Sequence, residues 1–203
     1  MASEDTQIRI NDLSFDIEGK TLLHNTNLSL NGDGITVFLG ANGAGKTIFL
    51  KLLTGLLTPC SGSITFEGGN LSVKTRAFVS QEPIILRRTV LKNMLFVLEK
   101  ITSEKSTLAK ELLSLMGLDK KEHQNAITLS AGEKQRLCLA RAIITDPEIL
   151  LLDEPTANIE PNSTTLIEKY LIQKVRSSRK IFFVTHDINQ ARRLADEIVF
   201  IHT

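Results

Sequence analysis

The stretch that decides the fold is "ITVFLGANGAGKTIFLKLLTG", Ile35 to Gly55. "ITVFL" reads as a buried strand. It runs directly into Gly40–Thr47, which matches the pattern G-x-x-x-x-G-K-[ST]. The residues that follow carry apolar side chains at helical spacing, and Gly55 is a fitting helix stop. Strand, glycine-rich loop and helix in that order make a phosphate-binding unit. Gly40, Gly43 and Gly45 are expected to give the backbone conformations closed to other residues and a close approach to phosphate. With Ala41, Asn42 and Ala44 they present successive N–H groups, backed by the helix N-terminus. Lys46 brings a mobile positive charge to the β- and γ-phosphates, and the Thr47 hydroxyl is a hard oxygen suited to Mg²⁺.

Working outward, the pattern is α/β. Before the loop, "IRINDLSFDI" and "TLLHNTNLSL" alternate apolar and polar residues between turn formers, as strands do. "GSITFEGG" and "RAFVSQ" read as two more short strands. From Thr89 to Gly117 the spacing turns helical, in "TVLKNMLFVLEKI" and "KSTLAKELLSLMGL". Helix from Ala131 to about Thr145, strand "EILLLD", helix from Pro161 to about Ser177, strand "KIFFVT", helix from Asp187 and strand "EIVFI" complete the chain. Strands alternating with helices predict a mainly parallel sheet. The whole chain, residues 1–203, reads as one domain, with a helical insert over about 85–145 and an antiparallel β subdomain at the N-terminus.

Composition narrows the function. Of the 203 residues 42% are apolar, enough for a substantial core, and the net charge of +1 gives no reason to expect a nucleic-acid partner. The two cysteines, Cys60 and Cys138, form no CxxC pair, which fits a reducing compartment; Cys138 reads as a small buried hydrophobe. No stretch reads as a signal peptide or a membrane span. His24, His123 and His202 show no metal-ligand spacing.

Two carboxylates end the buried strand "ILLLD", Asp153 and Glu154. In an open α/β sheet ligands bind at the carboxyl ends of the strands, so Asp153 can hold Mg²⁺ through water and Glu154 can polarise an attacking water. Gln81 and His186 also follow short apolar strands, and a parallel sheet would deliver them to the same edge as Lys46. Asp187 is a natural helix N-cap. "LSAGEKQRL", Leu129 to Leu137, places a serine and small residues at a helix start, a second arrangement suited to an anion.

"GANGAGKT", Gln81, "LSAGEKQRLCLARAI", "ILLLDEPTANIEP" and "VTHD", in that order, closely resemble the nucleotide-binding subunit of ABC transporters over essentially the whole chain. The resemblance implies a P-loop NTPase of the ABC cassette type that hydrolyses ATP with Mg²⁺. It implies a head-to-tail, ATP-dependent homodimer in which Ser130 and Gly132 of one subunit contact the γ-phosphate bound by the other. By the same resemblance Gln81 senses Mg²⁺ and water, His186 contacts the γ-phosphate, Glu154 is the catalytic base and Ile17 covers the adenine. Phe15 would share the Ile17 face if the strand persists. Four residues depart from the family pattern: Ala131 for a glycine, Glu133 for a glutamine, which would set a charge near ATP, Glu160 for an aspartate, and Ile17 for an aromatic. With no fused span, the pore would be a separate permease, with a solute-binding protein in the same system and the ATPase on the cytoplasmic face of the cell membrane. "TANIEP" and "THDINQARRLADEIVF" resemble tungstate, molybdate and related anion importers. The alternatives are a soluble ABC ATPase outside transport and a non-hydrolysing scaffold.

Overall fold

A computed structural model describes residues 7–67, 76–175 and 180–202, without the side chains of Glu67, Lys174 and Val175. Strands β1 (Gln7–Ile17), β2 (Lys20–Asn31) and β4 (Ser61–Glu67) form an antiparallel sheet in the order β2-β1-β4. Strands β3 (Gly34–Leu39), β5 (Arg76–Val79), β6 (Ile149–Asp153), β7 (Lys180–Thr185) and β8 (Glu197–Phe200) form a second sheet, ordered β5-β6-β7-β3-β8. Every pair in the second sheet is parallel. Every residue of β6 and β7 is buried, as expected for a parallel sheet covered on both faces. The glycines that close "GSITFEGG" lie outside the described residues, as does the expected helix end near Ser177.

Helix α1 (Lys46–Thr54) packs between the two sheets. Its Phe49, Leu50, Leu52 and Leu53 share a core with Ile8, Ile10 and Leu13 of β1 and with Phe38 and Phe182. Phe38 stacks on Phe182 at 5.7 Å and meets the edge of Phe49 at 5.0 Å, the offset and edge geometries that aromatic quadrupoles favour. Gly55, with φ of 76°, ends α1 where the sequence predicts. The other face of the parallel sheet shares a core with α2 (Val90–Leu95), α3 (Ser103–Leu115) and α4 (Ala131–Ile143), which all lie between β5 and β6. Helices α5 (Pro161–Val175) and α6 (Ile188–Leu194) complete the fold, with Asp187 capping α6 as expected.

One expected helix is much shorter than its pattern. "TVLKNMLFVLEKI" forms helix only over Val90–Leu95, and Phe96 and Val97 are exposed. The apolar spacing there does not mark one buried face. Val90 and Met94 face the core, whereas the later apolar side chains border a surface groove. Asn93, fully buried, anchors the chain before α2: its Oδ1 accepts from Leu86 N–H, and its Nδ2 donates to the carbonyls of Leu86, Arg88 and Thr89.

At the amino edge of the parallel sheet Lys180 is buried, 1% exposed. Its Nζ donates to the Asp33 carbonyl at 2.9 Å and to Thr36 Oγ1 at 2.6 Å, and Thr36 passes its own hydroxyl proton toward Glu197. Burial pushes this ammonium down to about 8, partly offset by the charges of Glu197, Asp33 and Asp196. The folded pKa lies below the unfolded one, so the stability linked to this group is present above the unfolded pKa and is lost as pH falls through about 8. Wild type is expected to gain, between pH 8 and pH 10, on the order of a few kcal/mol that Lys180→Met does not gain. Denaturant melts of both proteins across that window check it.

Candidate functional site

The parallel register brings the expected residues together. Leu39 lies opposite Thr185, Asp153 opposite Val184, and Val79 opposite Leu152. Residues just beyond these pairs therefore emerge side by side, and they are the phosphate loop, His186, Glu154 and Gln81.

Gly43 and Gly45 have φ of 83° and 90°, the left-handed region that the loop requires of them. Gly40 is different. Its φ is ordinary, and a Cβ there would collide with the Ile201 carbonyl, which runs past as the chain leaves β8. This glycine serves strand packing rather than an unusual backbone shape. Ala44 N–H bonds to the Ala41 carbonyl and closes the loop beside Asn42. No side chain caps the N-terminus of α1, so its leading N–H groups are left to a bound anion. Lys46, 6% exposed, folds over the loop, with Nζ donating to the Gly40 and Ala41 carbonyls, each at 2.8 Å.

Thr47 Oγ1 donates to Asp153 Oδ2 at 2.7 Å. Burial pushes the Asp153 carboxyl above its ordinary range, and the Thr47 bond opposes that. Two hard oxygens this close suit neighbouring ligands of an octahedral Mg²⁺, whose bonds of about 2.1 Å separate adjacent oxygens by about 3.0 Å. Among the described residues no group of three or more His, Cys, Asp or Glu could hold a metal, so such an ion would complete its shell with phosphate and water.

Glu154 joins three elements. Its Oε1 lies 3.2 Å from His186 Nδ1, and its Oε2 accepts from Gln81 Nε2 at 3.4 Å. Its backbone sits at φ 45°, a region costly by about 1 kcal/mol for a residue with a Cβ. Two hydrogen bonds hold it there, Glu154 N–H to the Val184 carbonyl and Ala157 N–H to the Glu154 carbonyl.

Gln81 is positioned from α4. Gln135 Nε2 donates to the Ser80 carbonyl at 3.3 Å and Arg141 Nη2 to the Ile84 carbonyl at 2.8 Å. Cys138, between them, is buried, and burial raises its thiol; its Sγ lies 3.5 Å from the same Ile84 carbonyl. This stripe at positions i, i+3 and i+6 shows in sequence only as ordinary helical spacing, so its partner was not legible there. A second network under the site, Thr156, Glu168, Gln190 and Arg193, was likewise not anticipated. The one hint was a buried-spacing glutamine four residues after His186.

Ser130 caps α4, its Oγ accepting from Glu133 N–H while Glu133 Oε2 accepts from Ser130 N–H. The Ser130 hydroxyl also lies against the Glu133 carboxylate, which, after Lys121, it helps to hold below its ordinary range. Ala131 opens the helix with an ordinary φ, so its Cβ is free of backbone strain. Gly132 has a reason within its own chain: a Cβ there would meet the Asn158 carbonyl. The Glu133 charge does not stand free beside the anion site. It is spent on the cap and on Lys121 Nζ at 2.5 Å, whose hydrogen bond holds the carboxyl below its ordinary range. Glu160 is exposed, and its carbonyl accepts from Thr164 N–H at the start of α5. Ile17 is 45% exposed, whereas Phe15 is 6% exposed and built into the core. β1 runs on through Ile17, so the two side chains stay two residues apart along one strand, Phe15 in the core and Ile17 at the exposed strand end; the register shift between Phe15 and Asp16 places its extra residue, Leu22, in β2.

The model of the ABC transporter family matches residues 23–157. The chain belongs to the ABC transporter family. The tungstate uptake system ATP-binding protein TupC of Peptoclostridium acidaminophilum is 36% identical, over 97% of this chain and 95% of its own length. The taurine import ATP-binding protein TauB of Pseudomonas syringae pv. tomato is 36% identical over 89% of this chain and 72% of its own. The aliphatic sulfonates import ATP-binding protein SsuB 1 of Nocardia farcinica is 36% identical over 98% and 79%. The solved structure of cbiO1 from Clostridium perfringens, part of the ABC transporter complex cbiONQ, superposes with a TM-score of 0.80 at 25% identity, covering 98% of this chain and 85% of that one. Another ATP-binding subunit of an ABC transporter shares the fold with a TM-score of 0.86. As an ABC cassette the chain binds and hydrolyses ATP. No described helix is long and apolar enough to cross a membrane.

Glu133→Ala is expected to lower stability by about 1 kcal/mol through loss of the cap, while Glu133→Gln, which can still accept from Ser130 N–H, loses less. Thermal melts of the two variants beside wild type measure the difference.

Proposed function

We propose that this ABC ATPase powers import through a separate membrane permease, cycling between ATP-closed and open head-to-tail homodimers. The observation that carries the reading is the bracketing of Glu154 by Gln81 and His186 at the mouth of the phosphate loop. Both oxygens of the carboxylate are engaged, so one face of it is aimed and its rotation is arrested. Because a carboxylate only accepts, the proton of the His186 contact lies on Nδ1. The γ-phosphate of ATP would lie against Lys46 and the loop N–H groups, and Glu154 would take the proton of the attacking water. Thr47 and Asp153 would hold Mg²⁺, which supplies charge to offset that building on the phosphates. The N-terminus of α4, with the exposed Ser130 and the small Gly132, would close on the γ-phosphate held by a second copy.

A groove of about 1070 Å³ beside Gln81 suits the permease. It is lined by Ser80, Ile84, Phe96, Val97 and Arg141, and Ile84 and Phe96 are strongly exposed apolar side chains. Since α4 grips the carbonyls of Ser80 and Ile84, closure of the dimer would move the groove's wall along with Gln81. The similarity to a tungstate uptake ATPase, over nearly the full length of both chains, supports an oxyanion as the solute. Such a system would include a solute-binding protein and would place this subunit on the cytoplasmic face of the membrane.

Glu154→Gln is expected to bind ATP as wild type does while turnover falls by about a thousandfold or more. Phosphate release together with a fluorescent-nucleotide titration tests this, and normal turnover would remove Glu154 as the base. Ser130→Arg is expected to leave ATP binding to the monomer intact while abolishing ATP-dependent dimerisation in size-exclusion chromatography. A dimer that still forms in that variant contradicts the trans arrangement.

A further inference from the structure

Beneath Glu154 and His186 lies a cleft of about 590 Å³, lined in part by Thr156, Thr185, Asp187, Gln190 and Arg193. Its floor is a chain of buried polar side chains. Gln190 Nε2 donates to Thr156 Oγ1 at 2.9 Å and to Glu168 Oε1 at 2.9 Å. Arg193 clamps Glu168 with two bonds, Nε to Oε2 at 3.0 Å and Nη2 to Oε1 at 2.9 Å. Gln190 and Glu168 are each 5% exposed and Thr156 is 9% exposed. The orientation of the Gln190 amide follows from its partners: an ionised Glu168 accepts and does not donate, so Nε2 must face it.

The places joined by this chain matter more than its strength. Thr156 stands two residues after Glu154, in the turn that begins with the left-handed Glu154 backbone. Gln190 stands on α6, whose cap, Asp187, adjoins His186. Neither Glu154 nor His186 is inside a helix or strand. On one side their separation is set by the bond from Glu154 N–H to Val184. On the other side Gln190 Nε2 joins Thr156, in the turn after Glu154, to α6.

We propose that Gln190 is a positioning residue for ATP hydrolysis: it ties the turn after Glu154 to the helix after His186 and so holds the base and the histidine at their working separation. The proposal rests on Glu154 acting as the base. Glu168 and Arg193 serve as the rigid post to which the Gln190 amide is fastened.

The test is the pH dependence of ATPase turnover in Gln190→Glu. This substitution sets a second carboxylate at hydrogen-bonding distance from Glu168. The two share a proton at low pH and repel when both ionise. The charged groups facing the new carboxylate are Glu168 on α5, Arg193 on α6, Asp187 at the cap of α6, and Glu154 and His186 across the cleft. All of these are present in wild type, so the ratio of variant to wild-type kcat isolates the new pair. That ratio is expected to fall about tenfold from pH 6 to pH 9 with KM for ATP within about twofold. Exchanging the partners, Glu168→Gln with Gln190→Glu, restores a donor opposite an acceptor and is expected to flatten the ratio. A ratio independent of pH in Gln190→Glu overturns the proposal. Thr156→Val keeps the shape and removes the acceptor, and it decides the matter if Gln190→Glu does not fold. It is expected to turn over about tenfold more slowly with unchanged ATP binding, and wild-type kcat in it overturns the proposal. Glu154→Gln measured alongside separates the two ideas: full turnover there removes the base, whereas an inactive Glu154→Gln with a flat Gln190→Glu ratio removes only the role of Gln190.

Discussion

The structure depends on the parallel pairing of β6, β7 and β3. These strands are buried on both faces, so their backbone hydrogen bonds have no competition from water and their register is strongly held. Leu39, Thr185 and Asp153 end within one residue of each other in that register. The loops that follow therefore begin at one edge, and a lysine, a magnesium-type oxygen pair, a carboxylate and a histidine meet there although they are spread along the chain from Lys46 to His186. No loop has to find its partner by itself. The sheet does the placing and the loops add the last few ångströms.

Those last few ångströms come from buried polar side chains rather than from the motifs. Glu154 rests in a left-handed conformation that two backbone hydrogen bonds offset, and Gln81 is held by Gln135 and Arg141 through the carbonyls of Ser80 and Ile84. Because Ser130 caps α4, one rigid helix connects the exposed cap to the loop that carries Gln81. A ligand that pulls on the cap is thereby linked to Glu154 by packed and hydrogen-bonded atoms.

Two of the departures from the family pattern, Ala131 and Glu133, are accommodated locally without strain. Ala131 opens a helix, where a methyl group is welcome. Glu133 places its charge on Lys121 and on the cap. The Gly40 and Gly132 requirements are steric and internal, against the carbonyls of Ile201 and Asn158, and neither could be read without the fold. Helix α2 shows the opposite case. Its apolar pattern was clear, yet the segment stops after Leu95, because Phe96 and Val97 border a groove and do not face the core.

By itself the sequence determined the order of strands and helices, the phosphate loop with Lys46 and Thr47, the carboxylates at the end of "ILLLD", and Gln81 and His186 as strand-end residues. Local patterning suffices for these, since strand burial, helix spacing, caps and glycine-rich turns are written within a few residues of one another. Only the tertiary structure decided that Phe15 is core while Ile17 is surface, that the stripe Gln135–Cys138–Arg141 grips the Gln81 loop, and that Thr156, Gln190, Glu168 and Arg193 form one network under the site. The reason is physical. The alternation along β1 is the same whether or not the core reaches as far as its last residues, and a hydrogen bond between side chains dozens of residues apart leaves no periodic trace in the chain that makes it.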